Sequence, residues 1–180
     1  MLDIWPITLP IKLRVRHLQD SNEDNVIATF KHKDRICEIH VQAFNVMYRE
    51  RKESFDRVTT SMQVPFPVLT HLYLENFDDP SPPLPDSFLG GSAPGLRLLH
   101  LHGFAVLGLP NLLLSATSLI HLLLDDIPDN RYISPYVMAD CLSSLARLEY
   151  LRIGFISQVY PYQTDLRPPP LTRTTLRAFL

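Results

Sequence analysis

The chain has 180 residues, 46% hydrophobic and 20% charged, with 17 basic against 19 acidic side chains and a formal net charge of −2. That balance suits one globular core or one repeat array, and it lacks the strong basic excess that marks a nucleic-acid binder. Two cysteines, Cys37 and Cys141, are too few for a disulfide framework, and neither a charged leader with an apolar run nor 18 uninterrupted apolar residues occurs. The expectation is a cytoplasmic or nuclear protein with reduced thiols, acting neither on a membrane nor on nucleic acid.

Along the chain one apolar phrase returns, Leu-x-x-Leu-x-Leu-x-x-apolar. Its first copy is weak: Pro10, Leu13, Val15 and Leu18. Ser21 with Asp24 then resembles a helix-capping signal, and Ile27 and Phe30 give that helix an apolar side. Copy two is Ile36, Ile39, Val41 and Phe44, followed by a helix marked by Phe55, Val58 and Met62. Copy three, the clearest, is Leu69, Leu72, Leu74 and Phe77; copy four is Leu96, Leu99, Leu101 and Phe104. The stretches after these two hold Pro85 and Pro110, which suggest single turns. Copy five is Leu119, Leu122, Leu124 and Ile127. Ser134-Pro135 then reads as a helix start, with Val137, Met138, Cys141, Leu142 and Leu145 on one face. Copy six is Leu148, Leu151, Ile153 and Ile156. A stiff Pro168-Pro169-Pro170 loop leads to a seventh copy at Leu176 and Phe179.

The first positions of successive copies are separated by 26, 33, 27, 23, 29 and 28 residues, the range of leucine-rich repeats. Each copy buries about four apolar side chains, about 6–12 kcal/mol gross. Ordering some 26 residues opposes this by ~1–2 kcal/mol each, so no copy folds alone and neighbours must stack. The expected fold is α/β: a leucine-rich-repeat solenoid, or horseshoe, with a parallel concave sheet and helices or turns on the convex side. Residues 1–180 are expected to form one array of about six to seven irregular repeats, truncated at one or both ends. The ninth position holds Leu18, Phe44, Phe77, Phe104, Ile127 and Ile156 in place of asparagine, so its turns are expected to be filled by packing.

Several phrases resemble fungal F-box proteins with degenerate leucine-rich repeats. They include Trp5 to Ile11 (WPITLPI), Pro65 to Leu74 (PFPVLTHLYL), Leu84 to Leu101 and, longest, Leu109 to Phe155. The resemblance implies a protein-interaction scaffold that selects substrates for a cullin-type ubiquitin ligase. The ligase adaptor would be met only through an F-box, and no segment here looks like one. The alternative is a free-standing interaction or structural solenoid with no ubiquitin role.

Positions three, five and seven of each copy form the expected concave face. The partner-binding residues drawn from it are His71, Tyr73, Leu98, His100, His121, Leu123, Tyr150 and Arg152. Five of the seven histidines fall on this face, and His71, His100 and His121 are expected within reach of one another, which raises zinc binding or pH sensitivity as readings beside plain polar exposure. Lys12, Arg14 and Arg16 alternate on the first strand, where they could meet phosphate or an acidic peptide, the preferred reading being an exposed edge guarded by charge. Asp125 and Asp126 are adjacent, so on a regular strand they face opposite ways and make no acid/base couple. No nucleophile elbow, phosphate loop or zinc-protease motif occurs, and the expectation is no enzyme, no catalytic residue, no cofactor and no metal.

Overall fold

The computed structural model describes residues 9–43, 53–77, 82–128, 133–156 and 175–179. Phe44, the proline run at 168–170 and most of the segment from Trp5 lie outside them. The chain is α/β: a seven-stranded sheet in which six strands run parallel, in chain order, with helices between them. The strands are β1 (Ile11–Val15), β2 (Ile36–Ala43), β3 (His71–Asn76), β4 (Leu98–His102), β5 (His121–Pro128), β6 (Tyr150–Ile156) and β7 (Thr175–Phe179). The α-helices are α1 (Asp20–Thr29), α2 (Glu53–Ser61), α3 (Leu109–Ser115) and α4 (Pro135–Ser144), with 3₁₀ turns at Phe30–Arg35 and Phe88–Gly91.

The apolar phrase sets the register. Leu13, Ile39, Leu72, Leu99, Leu122 and Leu151 stand opposite one another across the sheet, and so do Val15, Val41, Leu74, Leu101, Leu124 and Ile153. Side chains two apart share one face of a strand, so each row forms a continuous ridge on the same side. From β2 to β6 these ridges are buried, and they join Val26, Val58, Leu112, Leu113 and Cys141 from the helices in one core.

Helix boundaries follow local chemistry. At α4 the Ser134 hydroxyl accepts the Val137 N–H and Pro135 occupies the first turn, where its missing donor has no partner to lose. Cys141 and Leu145 face the core as expected, whereas Val137 is exposed. The cap of α1 differs from Ser21 with Asp24: the Gln19 N–H donates to Asn22 Oδ1 at 2.9 Å, two residues earlier. Pro110 does not reduce its segment to a single turn. It sits at the start of α3, the position a helix tolerates, and Leu109, Leu112 and Leu113 behind it are buried. Arg57 of α2 joins α1 by ion pairs to Glu23 at 3.0 Å and Asp24 at 2.9 Å.

Two further expectations are corrected. The seventh copy is not a parallel strand: β7 runs antiparallel to β6, with Leu176 opposite Ile153 and Ala178 opposite Leu151. An alternating pattern reads the same in both directions, so Leu176 and Phe179 carried no information about strand polarity. Ninth-position packing holds at Leu18, Phe104 and Ile127, but Phe77 is 47% exposed. In that repeat the turn is held one residue earlier, by a buried amide: Asn76 Nδ2 donates to the Gly103 carbonyl at 3.2 Å.

Gly103 has φ of +70°, and a Cβ there would lie 2.0 Å from the Asn76 carbonyl oxygen. Gly103→Ala is therefore expected to destabilise the fold by more than the ~1–3 kcal/mol of backbone strain alone. Gly91→Ala, at φ +72° with open space around its Cβ, should cost only that strain; urea denaturation of both variants checks the difference.

Candidate interaction face

With alternate residues committed to the core, the intervening ones stand in rows on the opposite side of the sheet. The first row runs Lys12, Glu38, His71, Leu98, His121, Tyr150, and the second Arg14, His40, Tyr73, His100, Leu123, Arg152. A third holds Gln42, Glu75, His102 and Asp125. The eight residues expected to bind a partner thus share one face, and each is half-buried. Three of them form one line along the second row with Leu123, and Leu98 lies between His71 and His121 in the first.

The histidines do not converge as expected. His71 and His121 flank Leu98, two strands apart and hence about 9–10 Å, while His100 belongs to the next row. Among the described residues no group of three His, Cys, Asp or Glu side chains is arranged to hold a metal ion. His71 instead meets its neighbour, with Nδ1 at 2.9 Å from Thr70 Oγ1, and that hydroxyl also reaches the Cys37 carbonyl at 2.9 Å.

What the face does build is two networks of polar contacts, one around Glu38 and one through Glu75 and Asp125. Glu38 accepts from Lys12 at 2.9 Å and from Arg14 at 2.7 Å. Glu75 accepts a hydrogen bond from Gln42 and has His40 at 3.5 Å and His100 at 3.8 Å. His100 Nε2 lies 3.1 Å from Asp125, which also pairs with Arg152. Aromatic rings fill the space between: Tyr73 lies tilted to His40 at 5.1 Å and edge-on to His100 at 6.1 Å, and His121 meets Tyr150 at 6.1 Å.

Adjacent Asp125 and Asp126 both reach histidines of this face, contrary to the expectation for a regular strand. Asp126 lies 3.5 Å from His102. The cause is a register shift between Leu124 and Ile127, where Asp126 takes φ of +51°. Aspartate enters that left-handed region more readily than most residues, and such a bulge re-aims the side chains beside it. His102 also packs on Phe77 at 4.4 Å, which accounts for the exposed phenylalanine of copy three.

The electrostatics follow from these contacts. Hydrogen bonding by Lys12 lowers the Glu38 carboxyl against the effect of burial, with Arg14 assisting. Burial raises Asp125, but the bonds from His100 and Arg152 together outweigh it and leave it lowered. Burial lowers His102, against the pull of Asp126 and Asp125. Burial raises Tyr73, with Glu38 adding to it.

A cavity of about 280 Å³ opens on the helix side between α4 and β5–β6, lined by apolar residues including Ile133, Met138, Leu142 and Phe155. It lacks the convergent polar groups that fix a ligand's orientation. Among the described residues no helix is long and apolar enough to cross a membrane. No family model, curated protein or solved structure matches the chain.

The lowered His102 gives a pH signature. Its unfolded form takes a proton near 6.5 and its folded form only below that, so stability is full above about pH 6.5 and is lost as pH falls from there. Glu38 and Asp125, ordinarily near 4.5 and 3.8, are lowered, so a further loss begins as pH falls through those ordinary values and is complete once the lower folded values are crossed. Thermal melts of His102→Gln should flatten the first slope and leave the second; melts of Asp125→Asn should reduce the second.

Proposed function

We propose that this chain is a protein-interaction scaffold: a leucine-rich-repeat solenoid whose concave sheet face holds a partner protein, resembling the substrate-selecting repeats of a fungal F-box protein. The observation that carries the reading is the contrast between the two sides of the parallel sheet. One side is sealed by helices; the other presents Tyr73, Leu98, Leu123 and Tyr150, half-exposed, among rows of ion pairs. Aromatic and aliphatic anchors inside a polar surround are what a protein interface needs. The strand register holds those anchors in fixed rows, which reduces the ordering cost on association.

The role is binding without chemistry, and no cofactor or metal is assigned to it. Any ubiquitin role rests on an F-box supplied by a longer chain, and co-purification of a cullin adaptor with such a chain tests it. The binding role has its own test. In affinity capture, Tyr73→Ala combined with Leu98→Ala should lose proteins that the unaltered chain retains, with an unchanged circular dichroism spectrum. Equal retention by both would remove this face from the function.

A further inference from the structure

At one side of the sheet β6 is closed by the antiparallel strand β7. At the other, β1 pairs with β2 and, among the described residues, with no further strand. A bare outer strand keeps a row of unpaired N–H and C=O groups, ready to accept another extended segment.

Two features make this edge more than a bare ladder. Leu13 and Val15 are half-buried, whereas their register partners Ile39 and Val41 are completely buried. Their exposed parts, with Val26 of α1, floor a groove of about 450 Å³ that is rimmed by Arg16, Asn22 and Asn25. The second feature is charge. Lys12 and Arg14 share the one carboxylate of Glu38 and stay 61% and 65% exposed. Arg16 is exposed and makes no ion pair among the described residues. Among the described residues, three cations against one carboxylate leave two positive charges unbalanced along this edge.

We propose that the β1 edge binds an acidic, extended peptide segment of a partner protein by strand addition. The peptide backbone completes the ladder of β1, alternate apolar side chains enter the groove above Leu13 and Val15, and the intervening acids meet Lys12, Arg14 and Arg16. Five residues of β1 span about 17 Å, so the segment is about five to seven residues long. A second copy of this chain does not fit, because pairing β1 with β1 sets the three cations against the same three. Lys12 and Arg14 also head the rows that carry His71 and Tyr73, but the outer ladder of β1 and the groove over Leu13 and Val15 lie outside those rows.

The test is fluorescence anisotropy of a labelled peptide, Glu-Val-Asp-Val-Glu-Val-Asp, titrated with the full chain at low salt. Binding is expected, falling with added salt and dropping about tenfold or more for Arg16→Glu, which leaves the Glu38 pairs untouched, and further for Arg14→Glu with Arg16→Glu. A peptide with prolines at two central positions, unable to donate to the ladder, should bind about tenfold or more weakly. Absence of binding, equal binding of the proline peptide, or equal binding of a version with lysine for each acid would overturn the proposal. Competition by a short single-stranded oligonucleotide at equal concentration would overturn it too, in favour of a phosphate site.

Discussion

Two ridges of apolar side chains run across this sheet perpendicular to its strands, and everything else is arranged around them. Leu72, Leu99 and Leu122 are each packed between like neighbours, as are Leu74, Leu101 and Leu124, and all six are buried to within 1%. A single strand offers only two such side chains, far too little to offset the ordering of the segment that carries it. Stacking shares each face between two neighbours, so the stability of a strand depends on those beside it. One register therefore serves all six parallel strands, since a slip by one residue would turn the ridge of that strand to the opposite side.

Because the ridges take every second residue, the remaining ones are forced into equally regular rows on the other face. The polar networks between Lys12 and Arg152 are by-products of that register: Glu38, Glu75 and Asp125 each come to lie between cations or histidines of neighbouring strands. Half-exposed pairs of this kind add little stability singly. The strand register itself fixes where Tyr73, Leu98, Leu123 and Tyr150 stand.

Departures from the repeat cluster at one end of the strands, where the chain leaves the sheet. There Asn76 bonds across to Gly103, Gly103 packs so closely on the Asn76 carbonyl that no Cβ fits, and the bulge at Asp126 turns two consecutive carboxylates toward His100 and His102. These three features lie on adjacent strands and depend on one another's backbone. All three occupy the eighth position of the nine-residue phrase, which the leucine pattern leaves open, and together they shape one rim of the open face.

The register, the core residues and the membership of the open face were legible in the chain alone, because alternation with period two and a recurring leucine phrase are direct consequences of strand geometry. So was the start of α4, whose serine and proline act within one turn. Three things were decided only by the tertiary structure. The polarity of β7 was hidden because an alternating pattern has no direction. The pairing of His100 with Asp125 and Glu75, in place of a histidine cluster, depends on which row each residue enters, and that is set by contacts some 25 residues apart in sequence. The bulge at Asp126 arises from a mismatch between two neighbouring strands, a property of the pair that neither strand carries in its own residues.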